Sequence, residues 1–145
     1  MFIARCRAVT ARIRPMTEHI AACFCESLVV RCAGEPIRVS MCHCLNCQRR
    51  SGSAFAAQAR FPADQVTVTG ASNAYERRSD DGNRVAFHFC PTCGGTAYYV
   101  NPAEPGIVLI PVGAFADPTF PAPTISNYEN RRHPWVTPPE GAEHN

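Results

Sequence analysis

The stretch Cys42-His43-Cys44-Leu45-Asn46-Cys47 decides the fold class of this chain, because it places three thiols within six residues. Two further cysteine pairs flank it at metal-ligand spacing, Cys23-x-Cys25 and Cys90-x-x-Cys93. Zinc binds thiolate sulfur at about 2.3 Å in a tetrahedron, and a local pair of cysteines supplies half of such a site. The sequence therefore predicts a zinc protein with seven clustered thiols and two sites.

The partition of these thiols stays open from spacing alone. One possibility is a ribbon of two CxxC pairs, Cys44 with Cys47 and Cys90 with Cys93, which leaves three clustered thiols without a metal. The other joins the two flanking pairs and leaves the central triplet as a compact site. A four-cysteine zinc site is closed, whereas a site with three protein ligands keeps a position open for water or substrate. The second partition would indicate catalysis as well as structure.

Two other uses of cysteine fit the sequence less well. Nine cysteines is an odd number, and no apolar signal-peptide stretch opens the chain, which disfavours a disulfide framework. A redox-active CxxC pair normally follows a strand in a thioredoxin-like βαβ pattern, which this sequence does not display. Cys6 and Cys32 lie outside the clusters, and we interpret both as small buried hydrophobic residues.

Several residues around the cysteines match one known family. They are Gln48-Arg49, Gly52-Ser53 and Phe55 behind the triplet, and Phe89 and Gly94 around the last pair. Together with the cysteine spacing, they resemble the glutathione-dependent formaldehyde-activating enzyme family, which also includes centromere protein V. The likeness spans roughly residues 20–115, with a weaker similarity at His133-Pro134-Trp135. The resemblance implies a mostly β, Mss4-like zinc-binding fold of short antiparallel strands with one short helix.

The resemblance also selects the second partition and implies two zinc ions per chain. In the family, the flanking pairs hold a structural zinc and the central triplet holds a catalytic one. The corresponding structural ligands are Cys23, Cys25, Cys90 and Cys93. The corresponding ligands of the catalytic zinc are Cys42, Cys44 and Cys47.

The activity implied by this family is that of a zinc-dependent carbon–sulfur lyase or synthase, similar to S-(hydroxymethyl)glutathione synthase. Such an enzyme adds formaldehyde or a related aldehyde to glutathione or another small thiol. Zinc with an open position lowers the pKa of a bound thiol and holds a thiolate ready at neutral pH. The partners expected are therefore a small-molecule thiol and an aldehyde.

Candidate substrate-binding residues lie in and behind the triplet. Arg49 and Arg50 could hold the carboxylates of glutathione, since a planar guanidinium suits a carboxylate, although a solvated arginine pair is the simpler interpretation. His43 could donate a hydrogen bond to the bound thiolate, but a histidine between two ligands on a strand more often points to the opposite face. Four aromatic residues could line an apolar pocket or pack in the core: Phe55, Phe87, Phe89 and Trp135.

The alternative function is a non-catalytic protein-interaction module. In that interpretation both zincs are structural, and His43 or Cys32 closes the second site. With 14 basic and 12 acidic residues, the net charge of +2 is too weak to indicate nucleic-acid binding. No apolar stretch is long enough to span a membrane. Free thiols fit a reducing, cytoplasmic setting.

The domain organisation is a zinc-binding domain over residues 16–136 between two poorly structured ends. Residues 1–15 are arginine-rich and predict a loosely ordered extension, with Met16 as a possible translation start. Residues 137–145 are polar and proline-rich and predict a frayed tail.

Within the domain, short strands are separated by turns, and Asp80-Asp81-Gly82-Asn83 predicts a hairpin turn. Thirteen prolines and nine glycines disfavour long helices, so one short helix over residues 46–51 is predicted. The predicted strands cover residues 27–32, 37–42, 54–61, 65–69, 74–78, 84–89, 96–100 and 107–112.

Overall fold

Short strands make up most of the protein in a computed structural model, which describes residues 16–79 and 81–145. Cys6, the predicted N-terminal extension 1–15 and Asp80 of the predicted hairpin turn lie outside the described residues. Eleven strands and one α-helix are present in the described part. They are β1 Glu18–Ala22, β2 Val29–Ala33, β3 Arg38–Cys42, α1 Leu45–Ser51, β4 Ala56–Pro62, β5 Val66–Thr69, β6 Asn73–Arg78, β7 Arg84–Phe89, β8 Thr96–Val100, β9 Ile107–Pro111, β10 Ile125–Asn127 and β11 Glu143–His144.

The predicted mostly β fold with one short helix is confirmed. The eight predicted strands correspond to β2 through β9, with ends that differ by at most two residues. Alternation of apolar and polar side chains and the intervening turns are local signals, so these strands are recognisable in the sequence. Strands β1, β10 and β11 were not predicted. No helix in the described part has the length and apolarity needed to cross a membrane.

The strands form two sheets. The smaller sheet has the order β1-β2-β5, and the larger has the order β11-β10-β3-β4-β9-β8-β7-β6. Neighbours pair antiparallel, except that β10 lies parallel to both β3 and β11. Strand β3 therefore lies between β10 and β4, and it ends at Cys42, where the triplet begins.

One hydrophobic core is shared by the two sheets. Leu28 and Val30 reach it from the smaller sheet and the turn before it, while Phe61 and Ile110 reach it from β4 and β9. All four side chains are completely buried. Burial of side chains of this size contributes about 1.5–3 kcal/mol each, so the packing of sheet on sheet stabilises the fold. Cys32 belongs to this core, in agreement with its interpretation as a buried hydrophobic residue.

The C-terminal residues return to the larger sheet, where the sequence predicted a frayed tail. The N–H of Glu143 donates to the carbonyl of Thr124 at 2.9 Å, and the N–H of Asn145 donates to that of Ser126 at 2.8 Å. Ala142 is buried. Composition does not reveal this arrangement, because the backbone hydrogen bonds of β11 are formed with β10 and residues beside it, distant in the sequence.

Candidate metal centres

The seven clustered thiols form two separate groups in space. One contains the flanking pairs, Cys23, Cys25, Cys90 and Cys93, and the other contains the triplet, Cys42, Cys44 and Cys47. Within each group the sulfur atoms all lie within 4.8 Å of one another, close enough to hold a metal ion. This grouping is the second of the two partitions that the spacing left open.

The four-thiol group is built by two turns. The turn after β1 carries Cys23 and is closed by a hydrogen bond from the N–H of Cys23 to the carbonyl of Leu28, 2.9 Å long. The turn after β7 carries Cys90 and is closed by the N–H of Gly94, which donates to the carbonyl of Cys90 at 2.9 Å. Gly94 has a φ of +72°, a conformation that favours glycine. The group therefore joins two segments that are far apart in the chain.

The sulfur geometry of this group fits a tetrahedral zinc ion. Cys25 Sγ lies 3.7 Å from both Cys23 Sγ and Cys90 Sγ. Bonds of about 2.3 Å at tetrahedral angles place neighbouring sulfurs about 3.8 Å apart. Backbone N–H groups of Leu28 and Thr92 also donate to Cys23 Sγ and Cys90 Sγ, each at 3.3 Å, as suits negatively charged sulfur.

Ser27 is a member of this site that the sequence analysis missed. Its Oγ lies 3.1 Å from Cys25 Sγ and 3.2 Å from Cys90 Sγ. Hydrogen bonds from Ser27 and from the backbone of Cys93 lower the pKa of the Cys90 thiol to about 5. The available signal was position, because Ser27 follows Cys25 by two residues, the spacing that separates the two cysteines themselves.

The three-thiol group is assembled where β3 leads into α1. Cys42 ends the strand, Cys44 is the N-cap of the helix, and Cys47 lies in its first turn. The N–H of Cys47 donates to Cys44 Sγ at 3.3 Å. Hydrogen bonds from Cys42 and Cys47 lower the pKa of the Cys44 thiol to about 2, while the hydrogen bonds of Cys42 with Cys44 and Cys47 raise the pKa of Cys42. The thiols thus share protons that a metal would displace.

His43 does not contact the space beside the thiols, so its predicted role in substrate binding is corrected. Its side chain is completely buried, with Nε2 3.0 Å from Ser126 Oγ and its ring centroid 6.2 Å from that of Phe55. Side chains alternate along an extended chain, so a residue between Cys42 and Cys44 points away from them.

Neither His43 nor Cys32 lies beside the triplet as a fourth ligand, as the interaction-module alternative requires. Cys32 is in the core, where burial raises the pKa of its thiol to about 12. Within residues 16–79 and 81–145, no histidine, aspartate, glutamate or fourth cysteine joins the triplet. The triplet is therefore a three-ligand group in the described part of the chain.

Two cavities adjoin the triplet, and we call them inner and outer. The inner cavity has a volume of about 170 Å³ and is lined by Cys44, Cys47, Arg50, Gln58 and Tyr99, among others. The outer cavity has a volume of about 550 Å³, and Cys47 and Arg50 line it as well. Cys47 therefore lies where the two cavities meet.

Only some of the predicted pocket aromatics line these cavities. Phe87 lines both cavities, and Phe89 lines the outer one. Phe55 packs against His43, and Trp135 is largely exposed to solvent. Two of the four aromatic residues therefore line a cavity beside the triplet, and the other two do not.

The sequence model of the glutathione-dependent formaldehyde-activating enzyme family matches residues 18–131. The chain belongs to this family. The resemblance drawn from the cysteine pattern is thereby confirmed. The crystal structure of a Rhodobacter sphaeroides protein has a similar fold, with a TM-score of 0.51 and 21% sequence identity over 66% of this chain and 85% of that chain. The comparison with curated proteins found no match.

In this member of the formaldehyde-activating enzyme family, the two arginines behind the triplet differ in solvent exposure and in their contacts. Arg49 is exposed and lines the outer cavity. Arg50 is half-buried, and its guanidinium carbon lies 5.2 Å from the ring centroid of Phe87 and 5.0 Å from that of Tyr99. Cation–π contacts of this kind hold a guanidinium in place. The geometry therefore separates a solvated arginine from a positioned one.

Proposed function

We propose that this chain is a zinc-dependent carbon–sulfur lyase or synthase that adds formaldehyde or a related aldehyde to glutathione or another small thiol. The observation that carries the proposal is the triplet of Cys42, Cys44 and Cys47, a three-thiol group whose member Cys47 lines both cavities. Membership of the formaldehyde-activating enzyme family supports the choice of an aldehyde and a thiol as substrates.

The proposal includes two zinc ions per chain. The four-thiol group would hold a structural ion, since its ligands come from two distant turns and complete a tetrahedron. The triplet would hold the catalytic ion. Zinc bound by three thiolates supplies an open coordination position and favours the ionised form of a thiol at neutral pH. Because all these ligands must remain reduced, we place the protein in the cytoplasm.

The two substrates would occupy different cavities, with the thiol compound in the outer cavity and the aldehyde in the inner one. The outer cavity falls within the volume of about 300–1,000 Å³ that is usual for small-molecule sites, so it has room for the body of glutathione. Arg49 and Arg50 line it and are suited to bind carboxylates; Arg49 lines this cavity alone, whereas Arg50 lines the inner cavity as well. Phe87 and Phe89 supply apolar contacts. The thiol would then lie beside Cys47, facing the inner cavity and the aldehyde.

The reaction forms one carbon–sulfur bond and needs no oxidant. The thiol loses its proton, its sulfur attacks the carbonyl carbon, and the π electron pair moves to the oxygen, which takes up a proton. The reverse sequence breaks the same bond. By holding the two reactants next to each other, the cavity walls raise their effective concentration and exclude competing water.

The test is whether protein and glutathione together consume formaldehyde faster than glutathione alone. The zinc-loaded protein should accelerate the reaction, whereas Cys47→Ser should lose the acceleration. In a separate measurement, glutathione should change the thiolate-to-metal absorption of cobalt-substituted protein. No acceleration and an unchanged cobalt spectrum would refute the assignment. If another small thiol changes the spectrum and glutathione does not, the thiol chemistry is retained and glutathione is the wrong substrate.

A further inference from the structure

The inner cavity is too large for formaldehyde and too small for glutathione. A water molecule needs about 10–15 Å³ of cavity volume measured with a probe of its own size, and formaldehyde is only slightly larger. The volume of about 170 Å³ would therefore leave most of the cavity unfilled by formaldehyde. It also lies below the range of about 300–1,000 Å³ that is usual for larger ligands. On the same measure the cavity has room for about 11–17 water-sized groups, more than formaldehyde has and fewer than the non-hydrogen atoms of glutathione.

Polar atoms without partners line the same cavity. Arg50 Nη2 and Gln58 Oε1 are both buried and make no hydrogen bond to any described residue. Ser79 Oγ is likewise buried and makes no hydrogen bond to any described residue. Native proteins pair nearly all such buried groups, so unpaired atoms in side chains that line a cavity suggest a ligand that would pair them. Arg50 offers a charged donor, and Gln58 offers an acceptor.

The other charged side chains on this wall largely balance one another. Arg60 donates to Glu104 from Nε at 2.6 Å and from Nη2 at 3.1 Å, so this pair is internally neutral. Arg77 and Asp81 add one charge of each sign. Arg50 has aromatic contacts with Phe87 and Tyr99, which orient the guanidinium without neutralising it. The guanidinium also interacts electrostatically with Cys47 on the same wall, so an anion in the cavity would share Arg50 with that thiol.

From this geometry we propose that the inner cavity is a carboxylate subsite. Its ligand is a short acid whose carboxylate is bound by Arg50, and a hydroxyl group, where the acid carries one as glycolate does, donates to Gln58. Resting on the proposed function, this inference makes one substrate a short thiol acid or a short aldehyde acid. The carboxylates of glutathione do not meet this description, because an amide linkage separates each of them from the sulfur.

A binding experiment tests the subsite without any reaction. Glycolate carries a carboxylate and a hydroxyl but no thiol or aldehyde, and glycolamide is its neutral counterpart. The zinc-loaded protein should bind glycolate at least about tenfold more tightly than glycolamide, the preference expected from a charged hydrogen bond. Titrations followed by NMR measure both affinities. Equal affinities for the two compounds would overturn the proposal.

Variants of the two neighbouring arginines give the matched control. Arg50→Met should abolish the preference for glycolate, whereas Arg49→Met should retain it, because Arg49 lines only the outer cavity. Since Arg50 packs on two aromatic rings, zinc content and circular dichroism should be compared first. If Arg50→Met does not fold, Arg50→Lys is used instead. This variant keeps the charge but lacks the planar guanidinium, so it should show a reduced preference for glycolate. The proposal fails if Arg50 variants retain the full preference.

Two reaction comparisons identify which substrate carries the acid. With formaldehyde, mercaptoacetate is compared with 2-mercaptoethanol; with glutathione, glyoxylate is compared with glycolaldehyde. A higher kcat/KM for the acid in either pair supports the subsite and assigns the carboxylate to the thiol or to the aldehyde. If adducts form without any preference for acids, the proposed function stands and the subsite is wrong. If no adduct forms but glycolate binding requires Arg50, the subsite stands and the proposed function is wrong.

Discussion

At the scale of single residues, the cysteines of this protein differ through the groups that donate to them. Cys44 accepts from the N–H of Cys47, and its pKa is lowered to about 2 by hydrogen bonds from Cys42 and Cys47. Cys32 lies in the core, and burial raises its pKa to about 12. The thiolate is the metal-binding form, so Cys44 is prepared to bind a metal, whereas Cys32 stays a protonated thiol in the core.

Ser27 should tune the four-thiol site. Replacing it with alanine removes the hydroxyl that lies within 3.2 Å of Cys25 and Cys90, which leaves these sulfurs with fewer donors. Residues that support metal ligands typically contribute about 10–100-fold to metal affinity, and we expect a loss in this range. Competition with a chromophoric chelator measures it. The exposed Ser53→Ala variant is the control, and an equal affinity in both variants would contradict the role of Ser27.

The two thiol groups should differ in their contribution to folding. Cys93→Ser should prevent folding, because zinc in a structural site supplies about 10–16 kcal/mol of apparent binding energy that is partly folding energy. Cys47→Ser removes a ligand from a local group and should cost far less. Denaturation followed by circular dichroism compares the two variants. Complete unfolding of both would remove the distinction between a structural and a catalytic site.

At the scale of elements, helix α1 connects the triplet to the C-terminal part of the chain. Gln48 Nε2 donates to the carbonyl of His43 at 2.8 Å and to that of Arg131 at 3.1 Å. Gln48 Oε1 lies 2.9 Å from His133 Nε2. The helix has only seven residues and is too short to be stable alone, so these contacts hold it in place.

Removing the side chain of Gln48 should therefore loosen both segments. We expect Gln48→Ala to lower the free energy of unfolding by about 1–3 kcal/mol, because each lost hydrogen bond contributes about 0.5–1.5 kcal/mol. Amide exchange should increase over residues 128–136. Arg49→Ala, one position further along the same helix, is the control for helix propensity. If the two variants are equally stable, Gln48 does not anchor the helix.

Gly70 fixes the approach of β5 to the turn of the four-thiol site. A Cβ added there would lie 2.0 Å from the carbonyl oxygen of Ser27, and φ is +101°. Gly106 also has a positive φ, +74°, but nothing lies within 4 Å of its added Cβ. Gly70→Ala should thus destabilise the protein well beyond the strain of about 1 kcal/mol expected for Gly106→Ala. Thermal unfolding measures both, and similar losses would show that the contact is unimportant.

At the scale of the whole molecule, the four-thiol group links the two sheets. Cys23 and Cys25 follow β1 of the smaller sheet, whereas Cys90 and Cys93 follow β7 of the larger one. The shared core holds the same two sheets together. Zinc at this site would therefore act on the assembly of the complete fold, while zinc at the triplet would act on α1 and the cavities beside it.

Two zinc ions per chain are expected from this arrangement. Elemental analysis of protein purified without chelator should approach two, because both thiol groups have ligand atoms within 4.8 Å of one another. Cys47→Ser should lower the count toward one without loss of the fold. A count of one in the unmodified protein that persists after zinc supplementation would contradict the two-site model.

Local signals in the sequence were sufficient for much of the fold and for locating the clustered thiols. The cysteine spacing predicted seven clustered thiols, the family resemblance selected their division into two groups, and strands β2 to β9 follow from alternation and turn residues. The same alternation gave the orientation of His43, which lies between two ligands on an extended segment. The strands, the triplet and the orientation of His43 depend on residues that are close together in the chain, whereas the four-thiol group joins two pairs that are far apart.

Tertiary structure alone decided the rest. Strand β11 forms because it pairs with the distant strand β10 and because the N–H of Glu143 donates to the carbonyl of Thr124, just before β10, which composition cannot indicate. Ser27 approaches Cys90 because two remote turns meet. The inner cavity exists because Arg50 of α1, Gln58 of β4 and Tyr99 of β8 converge from separate elements. Long-range packing sets which polar groups remain without partners, and this property determines what the cavity can bind.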